Sequence, residues 1–458
     1  MDHKHTQNEP SPPLPMLDAA ALCLRANQPA WAAAGVHARL QALTSFAQAI
    51  ARHRTDILAA LIADTGRRPA SEAEVDACSA LVARWAALAP ALLAETPLTP
   101  ARLPDIHTAT QRVPYSLVGV IAPLNSPLGL ALIDAIPALV AGAAVLIKPS
   151  EITPRFVVPL QKALAEVPQV AAVIGLLHGD GTIGAGIVDR CDAVCFTGSV
   201  ATGRRVAAAA AARLIPAFLE LGGKDPAIVL DGANLHRAAR GISWSGTYNS
   251  GQLCHSIERV YVVASVADAF VPLLVAAMRD RSLARPGPDD GALGPFIDPA
   301  QADIVEAQLI DAYAKGARAL CGGTLVRNDN RVWCPATVLV DVDHGMTIMQ
   351  AETFAPILPV MIVDDAEAAL AHANSSEYGL SASIWGDEPQ ALALARRLHA
   401  GAVSINDASL AAILMDHEKH AFGVSGLGGS RMGAAAVLRF TRSKAMLVNR
   451  QMDDSPWW

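Results

Sequence analysis

Residues 117–151 read LVGVIAPLNSPLGLALIDAIPALVAGAAVLIKPSE. The aliphatic run Val118–Ala122 predicts a strand, 127–142 a helix and Ala144–Ile147 a second strand. Neither run alternates polar with apolar residues, which is how strands of a parallel sheet covered on both faces read. Asn125 and Asp134, with Pro123, Pro127 and Pro137, interrupt the apolar stretch. Its longest clean part, 135–147, falls well short of the roughly 20 residues that cross a bilayer. The stretch therefore reads as buried core.

The alternation continues outward. A helix is expected over Pro154–Val167, started by a Thr153 cap with proline at its first position. Val170–Leu177 and Ala193–Phe196 read as third and fourth strands, about 200–212 as a helix, and Leu214–Leu219 as a further strand. The pattern resumes at Ala227–Leu230 and runs to about Ser404. Such βαβα order predicts an α/β fold with a doubly wound parallel sheet. Before it, Leu17–Ala94 has helical spacing, broken by Pro97, Pro100 and Pro104, and residues 1–16 read as a flexible lead.

Composition agrees. Of the 458 residues, 52% are hydrophobic, only 5% aromatic and 17% charged, and mean hydropathy is +0.30. This excludes a disordered or fibrous chain. The formal charge of −7 without a basic run argues against nucleic acid as a partner. The seven cysteines have no zinc-like pairing, and no apolar signal core follows Met1–Pro15. No metal, no membrane partner and a reducing cytoplasmic location are expected.

Three residues carry candidate chemistry. Cys254, in Gly251-Gln-Leu-Cys-His255, follows a helical stretch in a polar, small-residue segment. It reads either as a small buried hydrophobe or as a nucleophile, which needs a helix end, a base or a cation beside it. Glu220 ends an aliphatic strand, and reads as a general base or as an edge carboxylate facing water. Asn125 lies in the turn from strand to helix, where α/β folds bind ligands; its amide suits an oxyanion or simply the turn. Lys148, Ser150 and Glu151 follow a strand and suit ribose hydroxyls and a phosphate. Phe196-Thr197-Gly198-Ser199 precedes a helix whose N-terminus suits a pyrophosphate. Gly179–Gly184 matches G-x-G-x-x-G, a weak signal alone.

Taken in order, these segments resemble the aldehyde dehydrogenase superfamily from about Ala30 to Arg450. The matching blocks are the Asn125 turn, Lys148–Glu151, Phe196–Ser199, Glu220–Gly223, Gly251–Cys254, Glu352-Thr-Phe354-Ala-Pro356, Asn374, Tyr378–Leu380 and Gly401–Asn406. The resemblance implies a Rossmann-type cofactor domain (1–95 and 115–222), an α/β catalytic domain (223–424) and a bridging oligomerisation arm (96–114 and 425–458). It implies Cys254 as nucleophile, Asn125 with the Cys254 backbone N–H as oxyanion donors, and Glu220 as the base that hydrolyses a thioester. Lys148 and Glu151 would hold the adenosine ribose, Ser199 the pyrophosphate, and Glu352 with Phe354 the nicotinamide riboside. Ser150, Gly184, Phe196, Thr197, Gly198, Leu221 and Gly222 would complete the cofactor-binding set. Glu151 would repel a 2′-phosphate, so NAD is favoured, with NADP possible as the alternative. An aldehyde substrate and a homodimer or homotetramer, assembled through a 98–116 hairpin and a 440–450 strand, are implied too.

The sequence also departs from the family pattern. The family's opening strands are missing or reduced to Met1–Met16. Asp134 stands where lysine is usual, and Ser430 or Arg431 where glutamate is usual, so Asp134 and Arg431 are expected to form a charge-reversed ion pair. Ala355 replaces a common glycine, which is tolerable if its φ is negative. The substrate pocket is expected from Leu124, Ser126, Leu130, Ile133, Tyr248, Leu253 and His255, with Asp407, Asp416, His417 or Lys419 from the 408–424 loop. Without an evident cation, it suits an apolar aldehyde. His255 would tune the thiolate, touch substrate or face solvent. The competing readings are a CoA-acylating relative, against which Glu220 argues, and a catalytically silent protein of this fold, against which Cys254, Glu220 and Asn125 together argue.

Overall fold

The apolar run over 117–148 folds as strand, helix and strand. A computed structural model describes residues 14–103, 105–328 and 331–451; residues 1–13 of the expected lead and 452–458 of the expected arm lie outside them. The N-terminal helices are α1 (Leu14–Ala33), α2 (Gly35–Arg52), α3 (Arg54–Thr65) and α4 (Arg68–Leu92). Helix α1 thus begins at Leu14, inside the expected lead, and Leu17 is fully buried. Next come β1 (Ile106–Pro114), β2 (Leu117–Ile121), α5 (Pro127–Ala141), β3 (Ala144–Lys148), β4 (Ile174–Leu176), α6 (Gly181–Val188), β5 (Ala193–Thr197), α7 (Val200–Ala212) and β6 (Ala217–Glu220).

Three local expectations are corrected. The helix after Pro154 spans Val157–Ala165 and has no side-chain cap, because the Thr153 hydroxyl donates instead to the Leu124 carbonyl at 3.2 Å. The third strand is only β4, since Pro168 starts a short helix over Pro168–Ala171. Strand β6 starts at Ala217 because Leu214 takes φ 56° and closes α7 while fully facing solvent.

The second half supplies β7 (Asp225–Val229), α8 (Leu235–Thr247), β8 (Ile257–Val263), β9 (Arg318–Cys321), β10 (Thr337–Val340), β11 (Ile357–Val363), β12 (Ser381–Trp385) and β13 (Ala402–Ile405). Two more strands follow, the two-residue β14 (Gly426–Leu427) and the nine-residue β15 (Thr441–Asn449).

One six-stranded sheet has the order β14-β6-β5-β2-β3-β4, and a seven-stranded sheet the order β9-β10-β11-β8-β7-β12-β13. Within the first, β6 through β4 run parallel and only β14 is antiparallel. Every residue of β2, β3 and β5 is buried, which accounts for the positive hydropathy. The N-terminal helices share a continuous core with this sheet. In a third sheet, β1 pairs antiparallel with the two-residue strand Thr99–Pro100 and, over its full length, with β15. Residues 426–440 do not join that arm: Gly426 pairs with Glu220, and Arg431 and Arg439 reach α5.

Chain order places the carboxyl ends of β2, β3, β5 and β6 along one sheet edge. Strand order reverses direction at β2, the position where open α/β sheets form a ligand crevice.

Candidate active site

Asn125, Glu220 and Cys254 line one cavity, together with Leu124, Thr197, Gly198, Ser199, Leu221, Gly222, Glu352 and Phe354. Asn125 follows β2, Thr197–Ser199 follow β5, and Glu220–Gly222 follow β6. Cys254 comes from across the sheets, on the loop after α8. Ser199 caps α7 through the Thr202 N–H at 3.4 Å, leaving that helix N-terminus directed at the cavity edge, a natural seat for an anion. Close backbone approach explains two glycines. A Cβ on Gly198 would stand 2.6 Å from the Phe196 ring, and one on Gly222 2.4 Å from the Glu352 carboxylate.

Lys148, Ser150, Glu151 and Gly184 sit farther along the same edge. The Lys148 ammonium donates to Glu151 at 2.8 Å, Ser150 accepts from the Ile152 N–H, and a Cβ on Gly184 would meet the Lys148 stem at 3.6 Å. The Phe196 ring is buried in the packing of β5 with Leu219 and Leu221, so it supports Gly198 from beneath. Glu352 lies over the Gly222–Gly223 turn, accepting the Gly223 N–H at 3.4 Å. Burial and the neighbouring Glu258 push its carboxyl well above the usual carboxylate range. The adjoining residues are fixed by Glu258, which accepts the Thr353 and Phe354 N–H groups at 2.7 Å each and the Lys224 ammonium at 2.8 Å. That clamp holds Phe354 at φ 55°. Ala355 is absent from the positive-φ positions, which meets the condition for replacing a glycine. A nicotinamide dinucleotide fits this edge: a helix N-terminus, glycine-lined backbone and a lysine–glutamate pair lie in sequence beside the thiol.

The nucleophile and oxyanion loops are tied together. The Asn125 amide donates to the Gln252 carbonyl at 3.0 Å, and Asn249 donates to the carbonyls of Asn125 and Gln252. Asn249 in turn accepts from the buried Arg67 at 2.8 Å. Asn249 and Ser250 both have φ near 50–58°, a strained pair of left-handed residues that the network over-determines. One Asn125 N–H is thus engaged, and an amide carries two.

Burial pushes the Cys254 thiol up to about 12, aided by Glu220 and Glu352 and opposed by Lys419. His255 Nδ1 lies 3.7 Å from the sulfur, and burial lowers this imidazole to about 4. The histidine is therefore neutral, and its side chain is partly buried.

A second cavity of about 720 Å³ adjoins the first and contains Ser126, Leu130, Ile133, Tyr248, Leu253 and His255. Leu124 lines the thiol cavity, on the other side of the Asn125 turn. Sequence reasoning missed the far wall, where α4 contributes Ala73, Ala77, Leu81 and Arg84 and α8 contributes Trp244. Of the loop candidates, Asp416 lines the cavity, where it pairs with Arg84 at 2.6 Å. Lys419 bonds the Ala411 carbonyl, Asp407 caps Ser409, and Asp407 and His417 are not among the lining residues.

A model of the aldehyde dehydrogenase family matches residues 16–446. The crystal structure of a provisionally named aldehyde dehydrogenase, PutA, from Anabaena variabilis superposes with a TM-score of 0.96 and 47% identity, covering 98% of this chain and 96% of that one. A Mycobacterium ulcerans (strain Agy99) protein with the provisional name succinate-semialdehyde dehydrogenase (NADP+) 2 is 34% identical over 445 residues, covering 96% of this chain and 86% of that protein. The 4,4'-diapolycopene aldehyde oxidase of Methylomonas sp is 39% identical over 372 residues, covering 79% and 67%.

Proposed function

The chain belongs to the aldehyde dehydrogenase family, and from that premise we propose that it oxidises apolar aldehydes, prefers NAD and uses Cys254, Glu220 and Asn125 as its catalytic residues. NAD(P)-dependent oxidation of an aldehyde to the acid is the reaction of an enzyme of this family. The observation that carries the assignment of roles is the convergence of the three side chains on one cavity at the carboxyl edge of the six-stranded sheet.

The Cys254 thiol gives its proton to solvent water as the sulfur adds to the aldehyde carbonyl, and the oxygen becomes an oxyanion beside the free Asn125 N–H and the Cys254 backbone N–H. Losing such a donor costs about 10²–10³ in rate. Bound NAD(P)+ supplies the hydride acceptor that converts the thiohemiacetal to a thioester. Glu220 then takes a proton from water, the oxygen attacks the thioester carbonyl, the C–S bond breaks, and acid and thiol are released. A positioned base of this kind contributes about 10²–10⁴. Glu220 within the cavity favours water over CoA as the acyl acceptor.

The substrate class follows from the second cavity. Its walls are mostly aliphatic and aromatic with a second carboxylate at Glu74, and the Arg84 cation is already neutralised by Asp416. A hydrocarbon tail gains by burial there, whereas a carboxylate tail must compete with Asp416. The relatives' names point both ways, to a carboxylate-bearing semialdehyde and to a polyene aldehyde; the apolar wall favours the second kind. NAD preference rests on Glu151, whose carboxylate beside Lys148 would repel a 2′-phosphate. Assembly as a homodimer or homotetramer through the β1–β15 sheet, which leaves Leu447 exposed, and a cytoplasmic location complete the reading.

The test is NADH formation with straight-chain, aromatic and ω-carboxylated aldehydes, with Cys254→Ala as control. Turnover that is fastest on apolar aldehydes and absent in Cys254→Ala is expected; undiminished turnover in that variant overturns the mechanism.

A further inference from the structure

Three consecutive residues after α8 take left-handed backbone: Asn249 at φ 50°, Ser250 at φ 58° and Gly251 at φ 68°. Asparagine and glycine visit that region readily, serine rarely. The turn brings the Gln252 carbonyl against the Asn125 loop, where it accepts from Asn125 Nδ2 at 3.0 Å and from Asn249 Nδ2 at 3.3 Å. A carbonyl oxygen has two lone pairs, so this one is fully used. Asn249 Nδ2 also donates to the Asn125 carbonyl at 3.0 Å. One side-chain amide thus grips both the backbone of Asn125 and the acceptor that holds its side chain.

The other end of that amide is held from the first half of the chain. Arg67, the residue before α4, donates through Nη1 to Asn249 Oδ1 at 2.8 Å and through Nη2 to the Pro295 carbonyl at 3.0 Å. Both acceptors are neutral, so this buried guanidinium is spent on orientation and not on an ion pair. An arginine can only donate, which fixes Oδ1 on its side and leaves the donor end of the Asn249 amide facing the two carbonyls. The Gln252 side chain closes the ring: its amide donates to the same Pro295 carbonyl at 3.4 Å and accepts the Ile297 N–H at 3.1 Å. Arg67, Asn125, Asn249 and Gln252 are each at most 7% exposed.

We propose that Asn249, its amide oriented by Arg67, is the positioning residue for the oxyanion donor: it fixes Asn125 so that the second N–H of that amide points at the oxygen formed when Cys254 attacks. The inference rests on the reading of Asn125 as oxyanion donor. Packing alone would be served by an aliphatic side chain of similar size. The site instead requires a donor facing two carbonyls and an acceptor facing a guanidinium, which a short side-chain amide supplies.

Acylation of Cys254 by p-nitrophenyl acetate tests it without cofactor. The thiol gives its proton to water, the sulfur attacks the ester carbonyl, an oxyanion forms, and nitrophenolate leaves as the thioester is made. Asn249→Asp keeps an acceptor for Arg67 and removes both donations to the carbonyls. Its acylation rate is expected to fall about 10²–10³-fold, the worth of an oxyanion donor. In an Asn125→Ala background the same change is expected to cost less than about threefold, because no amide is left to aim. A merely structural role would cost as much in either background. Arg67→Met should show the same dependence on background and Arg67→Lys, which keeps one donor for Asn249, a smaller loss; these two carry the test if Asn249→Asp does not fold. Equal losses in the two backgrounds, or wild-type acylation in Asn249→Asp, overturn the proposal. Wild-type acylation in Asn125→Ala itself would instead overturn the underlying reading.

Discussion

The carboxylate of Asp134 and the guanidinium of Arg431 form a bidentate, buried pair that joins α5 to the C-terminal segment, 297 residues away in sequence. Breaking a buried pair by removing one partner is costly, because it strands the other charge. Asp134→Ala leaves two guanidiniums without their anion and is expected to destabilise the protein by about 3–5 kcal/mol. Thermal unfolding checks this, and an unchanged midpoint would show that the pair contributes nothing.

The resting thiol is expected to react slowly. Burial first, then Glu220 and Glu352, raise Cys254 to about 12, so the thiolate fraction rises about tenfold per pH unit throughout the neutral range. Alkylation of the cofactor-free enzyme by iodoacetamide should therefore accelerate steadily from pH 6 to 9 without a plateau. His255, lowered to about 4, is neutral across that range and cannot supply an activating charge. A plateau below pH 8 would mean that some cation is at work beside the sulfur.

Cofactor choice should turn on Glu151. Its carboxylate sits 2.8 Å from the Lys148 ammonium and is half exposed, so replacing it removes repulsion and frees the lysine. In Glu151→Ser, kcat/KM with NADP relative to NAD is expected to rise on the order of tenfold, equivalent to about 1.4 kcal/mol. An unchanged ratio excludes a role for Glu151 in discrimination.

Tail selectivity should respond to the Arg84–Asp416 pair. Asp416 is largely exposed while Arg84 is mostly buried, so removing the aspartate costs little stability and leaves the cation facing the cavity. Asp416→Asn is expected to raise kcat/KM for ω-carboxylated aldehydes by about tenfold or more relative to straight-chain aldehydes of equal length, the scale of one freed charge pair. Equal effects on both series would remove the pair from substrate recognition.

Strand ends were the legible part of the site. Asn125, Glu220 and Thr197–Ser199 each follow an aliphatic run, and a parallel sheet brings such ends together whatever the intervening helices do. Asp134 with Arg431 was legible as two complementary departures from one pattern. Facing was not legible. Leu124 and Ser126 flank Asn125 but fall in different cavities, because the chain turns sharply between β2 and α5. Arg84 lies on a helix whose apolar content gives no sign of which stripe meets α5 and which lines the cavity. Thr153 has the local sequence of a helix cap, yet its hydroxyl is engaged by the Leu124 carbonyl, distant in sequence. Residues 426–440 follow the catalytic half in sequence and return to the first sheet, where Gly426 pairs with Glu220, a contact that no local pattern announces.

The division of labour between Cys254 and Glu220 is tested most directly by pre-steady-state NADH formation in Glu220→Gln. The account predicts a burst approaching one NADH per active site, followed by turnover slowed about 10²–10⁴-fold as the thioester accumulates. Steady turnover at the wild-type rate would contradict it.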